Sequence, residues 1–332
     1  IRLHPVGTGP FKLAKWEQNQ IIVLEKNPHY FKPGLPYLDR IELRIMKEGV
    51  TRVTALRAGE VDFANYVPRE HVERLAKDQK MQVLKGKDTQ RTQSYFNLRN
   101  PLFRDVRVRQ AVLGYGIDRQ AIAKTALLGQ AQPLWSFVPP GGKDHIDFGE
   151  QFPYNPEKAR ALLKEAGFDE KNPLRYTLMT HAAEAALPNI ATIMKTQLAK
   201  IGVEMTIEVI DRPIFLRRLV TDRDWEQMLN LSGAALDTYS ITRLIDTRAG
   251  NNTTNHEDKQ VDAMIDRIKQ AATEEAYIKE GQNLQRYIAD QMLYPGVTTL
   301  PFIQAARAYV KGYENLHGHK IRFETTWLDK KP

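Results

Sequence analysis

No cysteine occurs in the 332 residues. That excludes thiol nucleophiles, thiolate-ligated zinc and disulfides, and it is compatible with an extracytoplasmic compartment without requiring one. No run of about 18 apolar residues occurs either, so no segment reads as a transmembrane helix. The opening residues Ile1-Arg2-Leu3-His4-Pro5 have neither an initiator methionine nor the pattern of a signal peptide, so the chain reads as a processed form or an excised piece. Catalytic templates are missing as well. His-Glu-x-x-His and Gly-x-Ser-x-Gly do not occur, and Gly141-Gly142-Lys143 lacks the rest of a phosphate loop. Gly7-Thr8-Gly9 puts Lys12 where a dinucleotide fingerprint needs its third glycine, and no strand precedes it. The eight histidines are scattered. His145 and His181 could meet only through folding, and no carboxylate pair has a spacing that implies general acid–base work. No metal site, cofactor or enzymatic activity is expected.

What is present describes a globular protein. Apolar residues make up 42% and charged residues 27%, ordinary for a packed chain. The length exceeds one usual core, so two lobes are expected. The net charge of +8 permits nucleic-acid or anionic-surface binding. The basic residues are interspersed with acids, however, as in Asp222-Arg223-Asp224 and Asp266-Arg267. Such mixing marks a solvated face, and no nucleic-acid partner is expected.

The most ordered stretch is 95–131. Tyr95, Phe96 and Asn97 end a strand, because Pro101 brings no N–H to a ladder. Asp105 stands where an N-cap belongs, and Val108, Ala111, Val112 and Tyr115 form one apolar stripe of a helix ended by Gly116. Asp118 caps a second helix, with Ala121, Ile122, Thr125 and Ala126 inward, closed by Gly129. The reading is that a strand leaves one sheet and two helices begin another body.

Upstream, Ile41, Leu43 and Ile45 alternate with polar residues in a half-buried strand, a short helix spans 51–57, Pro68 opens another, and strands fall at 81–84 and 92–97. Downstream, 133–142 is an aromatic, proline-rich loop, and Asn155-Pro156 starts a helix with Ala159, Leu162 and Leu163 inward. Strand and helix then alternate: a strand around Tyr176 and Leu178, a helix over 189–201, strands at 203–209 and 225–231, and a helix at 213–219 between them. Helices follow around Val261 and after Thr273. Residues 295–301 pass back to the first body, and 302–310 form one returning strand.

Open α/β sheets bind ligands beyond the carboxyl ends of their strands. Thr180 and His181 follow one strand, and Asn230, Asp237 and Tyr239 follow another. Asp237 is a candidate loop cap as well as a candidate ligand residue. Asn251 lies in a polar loop whose amides suit varied ligands. Arg243 either binds a carboxylate bidentately or faces solvent. Trp135 and Tyr239 are candidate apolar walls.

The motif carried by Asn97, Pro101, Phe103, Asp105, Arg107, Val108, Arg109, Gln110, Ala111, Ile117, Asp118, Arg119 and Gly129 resembles the signature of the large extracytoplasmic solute-binding proteins of ABC importers, the peptide- and nickel-binding family 5. Val6-Gly7-Thr8-Gly9-Pro10-Phe11, Asn27 with Tyr30, and Ala58-Gly59-Glu60-Val61-Asp62 also resemble that family, in which the first of these segments lies well inside the chain. The resemblance implies an α/β, two-lobed, type II periplasmic-binding-protein-like fold of the class with an extra domain, here a fragment with lobe I incomplete. The implied domains are 1–98, the central part of lobe I; 99–298, lobe II; and 299–332, the return to lobe I. The implied function is capture of an oligopeptide or other small polar solute between two lobes, with delivery to the transmembrane subunits of an ABC permease. A periplasmic or membrane-tethered monomer and hinges at 97–101 and 297–301 complete the picture. The alternative is a hydrolase on the same scaffold. In peptide-binding relatives the loop corresponding to 231–240 carries a tryptophan, an acid for the peptide ammonium and Asp-Pro. Here glycine or alanine takes the acid's place, no tryptophan is present, and no proline follows Asp237, so a free peptide N-terminus lacks its usual partner unless Asp237 takes that role.

Overall fold

The computed structural model describes residues 5–86, 90–233, 237–315 and 321–330. The chain forms two compact units, Ile1–Lys87 with Phe302–Pro332, and Asp88–Pro301.

The first unit opens with β1 (Phe11–Glu17), β2 (Ile21–Lys26) and β3 (Arg40–Arg44), an antiparallel meander in the order β1-β2-β3. In β3 Ile41 and Leu43 lie on the half-buried side while Arg40, Glu42 and Arg44 are exposed, as period-two alternation requires. Then follow α1 (Gly49–Ala58), β4 (Phe63–Ala64), α2 (Val72–Ala76) and β5 (Met81–Lys85). Val53, Leu56, Val72 and Leu75 from the two helices form the core of this unit.

The second unit contains β6 (Arg91–Phe96), α3 (Val106–Arg109), α4 (Arg119–Ala126), α5 (Pro156–Glu165), β7 (Leu174–His181), α6 (Ala186–Ala199), β8 (Val203–Ile210), α7 (Arg212–Arg217), β9 (Gln227–Ser232), α8 (Lys259–Gln270), α9 (Glu274–Asp290) and β10 (Gly296–Thr299). Its five-stranded sheet has the order β10-β6-β9-β7-β8. β7 is parallel to β8 and β9, whereas β6 runs antiparallel to β9 and β10. Successive residues divide between two cores: Phe96, Leu178 and Leu229 face one, and Tyr95, Met179 and Met228 the other. The sheet is therefore covered on both faces. The expected caps form. Asp105 accepts from Arg107 N at 2.8 Å, Asp118 from Ala121 N at 2.9 Å, Asn155 from Lys158 N at 2.9 Å and Thr273 from Ala276 N at 3.2 Å, each satisfying an orphan donor of a first helical turn.

The last long strand, β11 (Ile303–Arg307), returns to the first unit and lies antiparallel between β4 and β5.

Three expectations change. The helix expected from Asp105 to Gly116 is one α-helical turn followed by a π-helix, Gln110–Tyr115. Leu113 and Gly114 are buried along with the expected stripe, so the segment is enclosed all round rather than amphipathic. Gly116 ends it because a side chain there would strike the Ala111 carbonyl. The strand expected over 302–310 stops at Arg307, since Val310–Lys311 turns away to pair with Trp327–Leu328. Finally, the chain passes between the units at 87/88 and 301/302, not at 98/99 and 298/299. The reason is that β6 pairs with β10 on one side and β9 on the other, within one sheet, so the strand before Asn97 does not leave the first body.

Asn97 is thus a tether inside the second unit. Its amide donates to the carbonyls of Arg223 at 3.0 Å and Trp225 at 2.9 Å, and its oxygen accepts from Asn255 at 3.0 Å. Asn97→Ala is expected to destabilise this unit by ~1–3 kcal/mol, the cost of leaving buried polar groups unpaired. Urea unfolding reads the effect, and an unchanged midpoint would remove Asn97 from this role.

Candidate ligand site at the carboxyl end of the second sheet

β7, β8, β9 and β10 end at His181, Ile210, Ser232 and Thr299, and antiparallel β6 begins beside them at Arg91. Gln93 lies opposite Asn230 and Arg91 opposite Ser232, and directly opposed residues of an antiparallel pair share a face. His181 Nε2 meets Asn230 Oδ1 at 2.9 Å. Arg91, Gln93, Asn230, Ser232 and His181 therefore form one polar row on the face that carries Tyr95 and Met228. Below it, the rings of Tyr95 and Tyr294 stack at 4.5 Å, and their hydroxyls are linked to each other and to Thr253.

Of the residues singled out in the sequence, His181 and Asn230 meet here. Thr180 does not, because it points to the opposite face and donates to the Leu229 carbonyl at 2.9 Å. Asp237 caps a turn. Its carboxylate accepts from Ser240 N at 2.8 Å, and its carbonyl accepts from Ser240 Oγ at 2.7 Å. It also faces Tyr277, whose hydroxyl pKa is pushed up by burial and then by this carboxylate. Tyr239 is 42% exposed on the same turn. Arg243 and Asn251 pair with each other: the Asn251 amide donates to the Arg243 carbonyl at 2.7 Å and accepts from Arg243 Nη1 at 3.1 Å. Trp135 is tied elsewhere, with its indole N–H on the Phe152 carbonyl at 3.0 Å and the Arg119 guanidinium 5.6 Å from its ring. The glycine or alanine in the missing acid's place falls partly on 234–236, outside the described residues.

Arg91 and Gln93 escaped the sequence reading. The strand expected at 92–97 begins one residue after Arg91, and neither residue carries a pattern that marks it as part of a site. Arg91 Nη1 donates to the Gly233 carbonyl at 2.7 Å, while Nε and Nη2, and the Gln93 amide nitrogen, have no partner. Burial pushes the Arg91 pKa down to about 10, opposed by the neighbouring Tyr294 and Tyr95.

A second buried group holds the loop that carries Asp237. Asp144 accepts from Thr238 N at 3.0 Å on both carboxylate oxygens, and Gln285 donates to Thr238 Oγ1 at 3.0 Å. The close approach to α9 requires Gly281, where a Cβ would overlap the Asp144 carboxylate. Among the described residues no group of three or more His, Asp or Glu is placed to hold a metal ion.

Two predictions follow from this pin. Alanine usually gains about 1 kcal/mol over glycine inside a helix. Gly281→Ala should instead lose ~1–3 kcal/mol through overpacking, measured by urea unfolding. Burial raises the Asp144 pKa, so the folded protein takes up a proton at higher pH than the unfolded chain does. This group's favourable contribution is fully present below the unfolded value near 3.9 and is lost as pH rises through the folded value. Asp144→Asn should flatten that part of the stability–pH profile, which lies above about pH 4, as read by unfolding titrations.

Comparison with known proteins gives consistent findings. A family profile described as bacterial extracellular solute-binding proteins, family 5 middle, matches residues 1–253. Oligopeptide-binding protein AppA of Bacillus subtilis is 28% identical over 358 aligned positions, covering 99% of this chain and 63% of AppA. Glutathione-binding protein GsiB of Salmonella typhimurium is 35% identical over 214 positions, covering 64% of this chain and 40% of GsiB. The structure of the ABC transporter substrate-binding protein CtaP from Listeria monocytogenes superposes with a TM-score of 0.89 at 23% identity, covering 99% of this chain and 68% of that one. B. subtilis AppA in complex with a nonapeptide gives 0.78 at 25% identity, covering 97% and 66%. The chain thus spans less than two thirds of the length of AppA and GsiB.

Proposed function

The chain belongs to the bacterial extracellular solute-binding proteins of family 5, and from that premise we propose that the whole protein is the substrate-binding component of an ABC importer. It captures an oligopeptide or another small polar solute and delivers it to the permease. The observation that carries this reading is the family match over residues 1–253. The names of the relatives, oligopeptide-binding and glutathione-binding, make short peptides the first solutes to test. No helix among the described residues is long and apolar enough to cross a membrane, and the family points to an extracytoplasmic, periplasmic location. The two chain passages at 87/88 and 301/302 are the proposed hinge. Solute contacts then shift the population toward a closed form, as differential affinity for two states requires. Asp237 is committed to Ser240 and Tyr277, which argues against a site built around a peptide ammonium.

The test is small-angle scattering of the full-length protein, titrated with short peptides such as glutathione and tri-alanine while binding is followed by calorimetry. Binding with a measurable fall in radius of gyration is expected. Binding without compaction would remove the hinge, and no binding of any peptide would remove the peptide reading.

A further inference from the structure

Arg91 is the one fully buried cation of the polar row. Its whole side chain is 0% exposed. Nη1 is spent on the Gly233 carbonyl, whereas Nε and Nη2 have no partner. Those two N–H groups lie along the same edge of the planar guanidinium, the edge that forms two parallel hydrogen bonds to a carboxylate. Two residues along the strand and on the same face, the Gln93 amide nitrogen is also buried and unpaired. A buried charge without a counter-ion is costly, and so is each buried donor left unmade. Three idle donors on one patch of a sheet's carboxyl end, with no carboxylate among the described residues paired to them, are better explained by a missing acceptor than by packing. Arg119 shows the contrast. It is 2% exposed and spends Nε and Nη2, the edge left idle in Arg91, on the carbonyls of Leu134, Gly296 and Leu113, leaving Nη1 alone without a partner.

We propose that Arg91 receives a carboxylate of the captured solute on its Nε–Nη2 edge, with the Gln93 amide as an additional donor. The ligand class is therefore a carboxylic acid, either a peptide held by its C-terminus or a free organic acid. This assignment rests on the solute-capture reading above. Since Arg91 is enclosed, the solute reaches it in a state in which its cover has moved. Once water is excluded again, a guanidinium–carboxylate pair gains strength from the low local dielectric.

The experiment uses the full-length protein and three probes followed by calorimetry: tri-alanine, tri-alanine C-terminal amide and succinate. Tri-alanine or succinate should bind wild type, with the amide bound at least ~30-fold more weakly than the acid, the lower end for breaking a buried charge pair. Arg91→Met should abolish that difference, and Arg91→Lys, which keeps the charge without the fork, should recover only part of it. The melting temperature of ligand-free Arg91→Met should stay level or rise, because a buried, half-paired cation has been removed. Acid and amide binding wild type alike would overturn the assignment while leaving solute capture intact. A fall in melting temperature with acid–amide discrimination retained would make Arg91 structural. Failure of all three probes to bind would overturn the peptide reading, and this assignment with it.

Discussion

The seam between β6 and β10 is the contact on which the second unit depends. These strands lie about two hundred residues apart in the chain, yet Thr92 and Thr298 meet hydroxyl to hydroxyl at 2.8 Å, and Thr298 N donates to Thr92 Oγ1 at 3.1 Å. The pairing draws the first and last strands of the unit into one sheet beside β9. Both passages of the chain into the neighbouring unit consequently start from adjacent strands. The same seam lays β6 antiparallel among strands that otherwise run together, which brings its first residues to the carboxyl end of the sheet. Arg91 and Gln93 stand beside Asn230 and His181 for that reason alone.

That end of the sheet is electrostatically unbalanced. Other buried polar groups of the unit are paired, among them Asn97 with two carbonyls and Asn255, Arg109 with the carbonyls of Phe103, Arg104 and Gln291, and His256 Nε2 with the Ile245 carbonyl at 2.6 Å. Single buried atoms of Arg119, Tyr176 and Trp225 lack a partner, whereas Arg91 and Gln93 leave three donors unpaired side by side. Beyond β9, Thr238 is anchored from outside the row by Asp144 and Gln285, and Gly233 is held by Arg91 itself. A rigid frame with unspent donors is what a binding site needs, because preorganisation lowers the ordering cost of association.

Much of the scaffold was legible residue by residue. Asp105, Asp118, Asn155 and Thr273 announce helices by local chemistry, and each caps the helix expected of it. The alternating and 3.6-residue patterns located the strands and most helices, because burial on one face imposes a period that survives in sequence. The segment after Asp105 was legible as a helix but not as a π-helix, since enclosure on all sides leaves no polar face to betray its pitch. Among candidate site residues, His181 and Asn230 meet at the strand ends, Thr180 lies on the opposite face because neighbouring strand residues alternate, and Trp135 donates to the Phe152 carbonyl.

Composition, periodicity and capping chemistry are local, and by themselves they determined the α/β class, the absence of thiol chemistry and the helix starts, while the family followed from the resemblance of the motif over 97–129. Which strands share a sheet is a matter of long-range pairing, and only the tertiary structure decided it. It placed the passage between units at residue 87 rather than 98, and it enclosed the guanidinium of Arg91. A side chain's burial depends on partners brought from β9 and the far end of the chain, and no window of neighbouring residues carries that information.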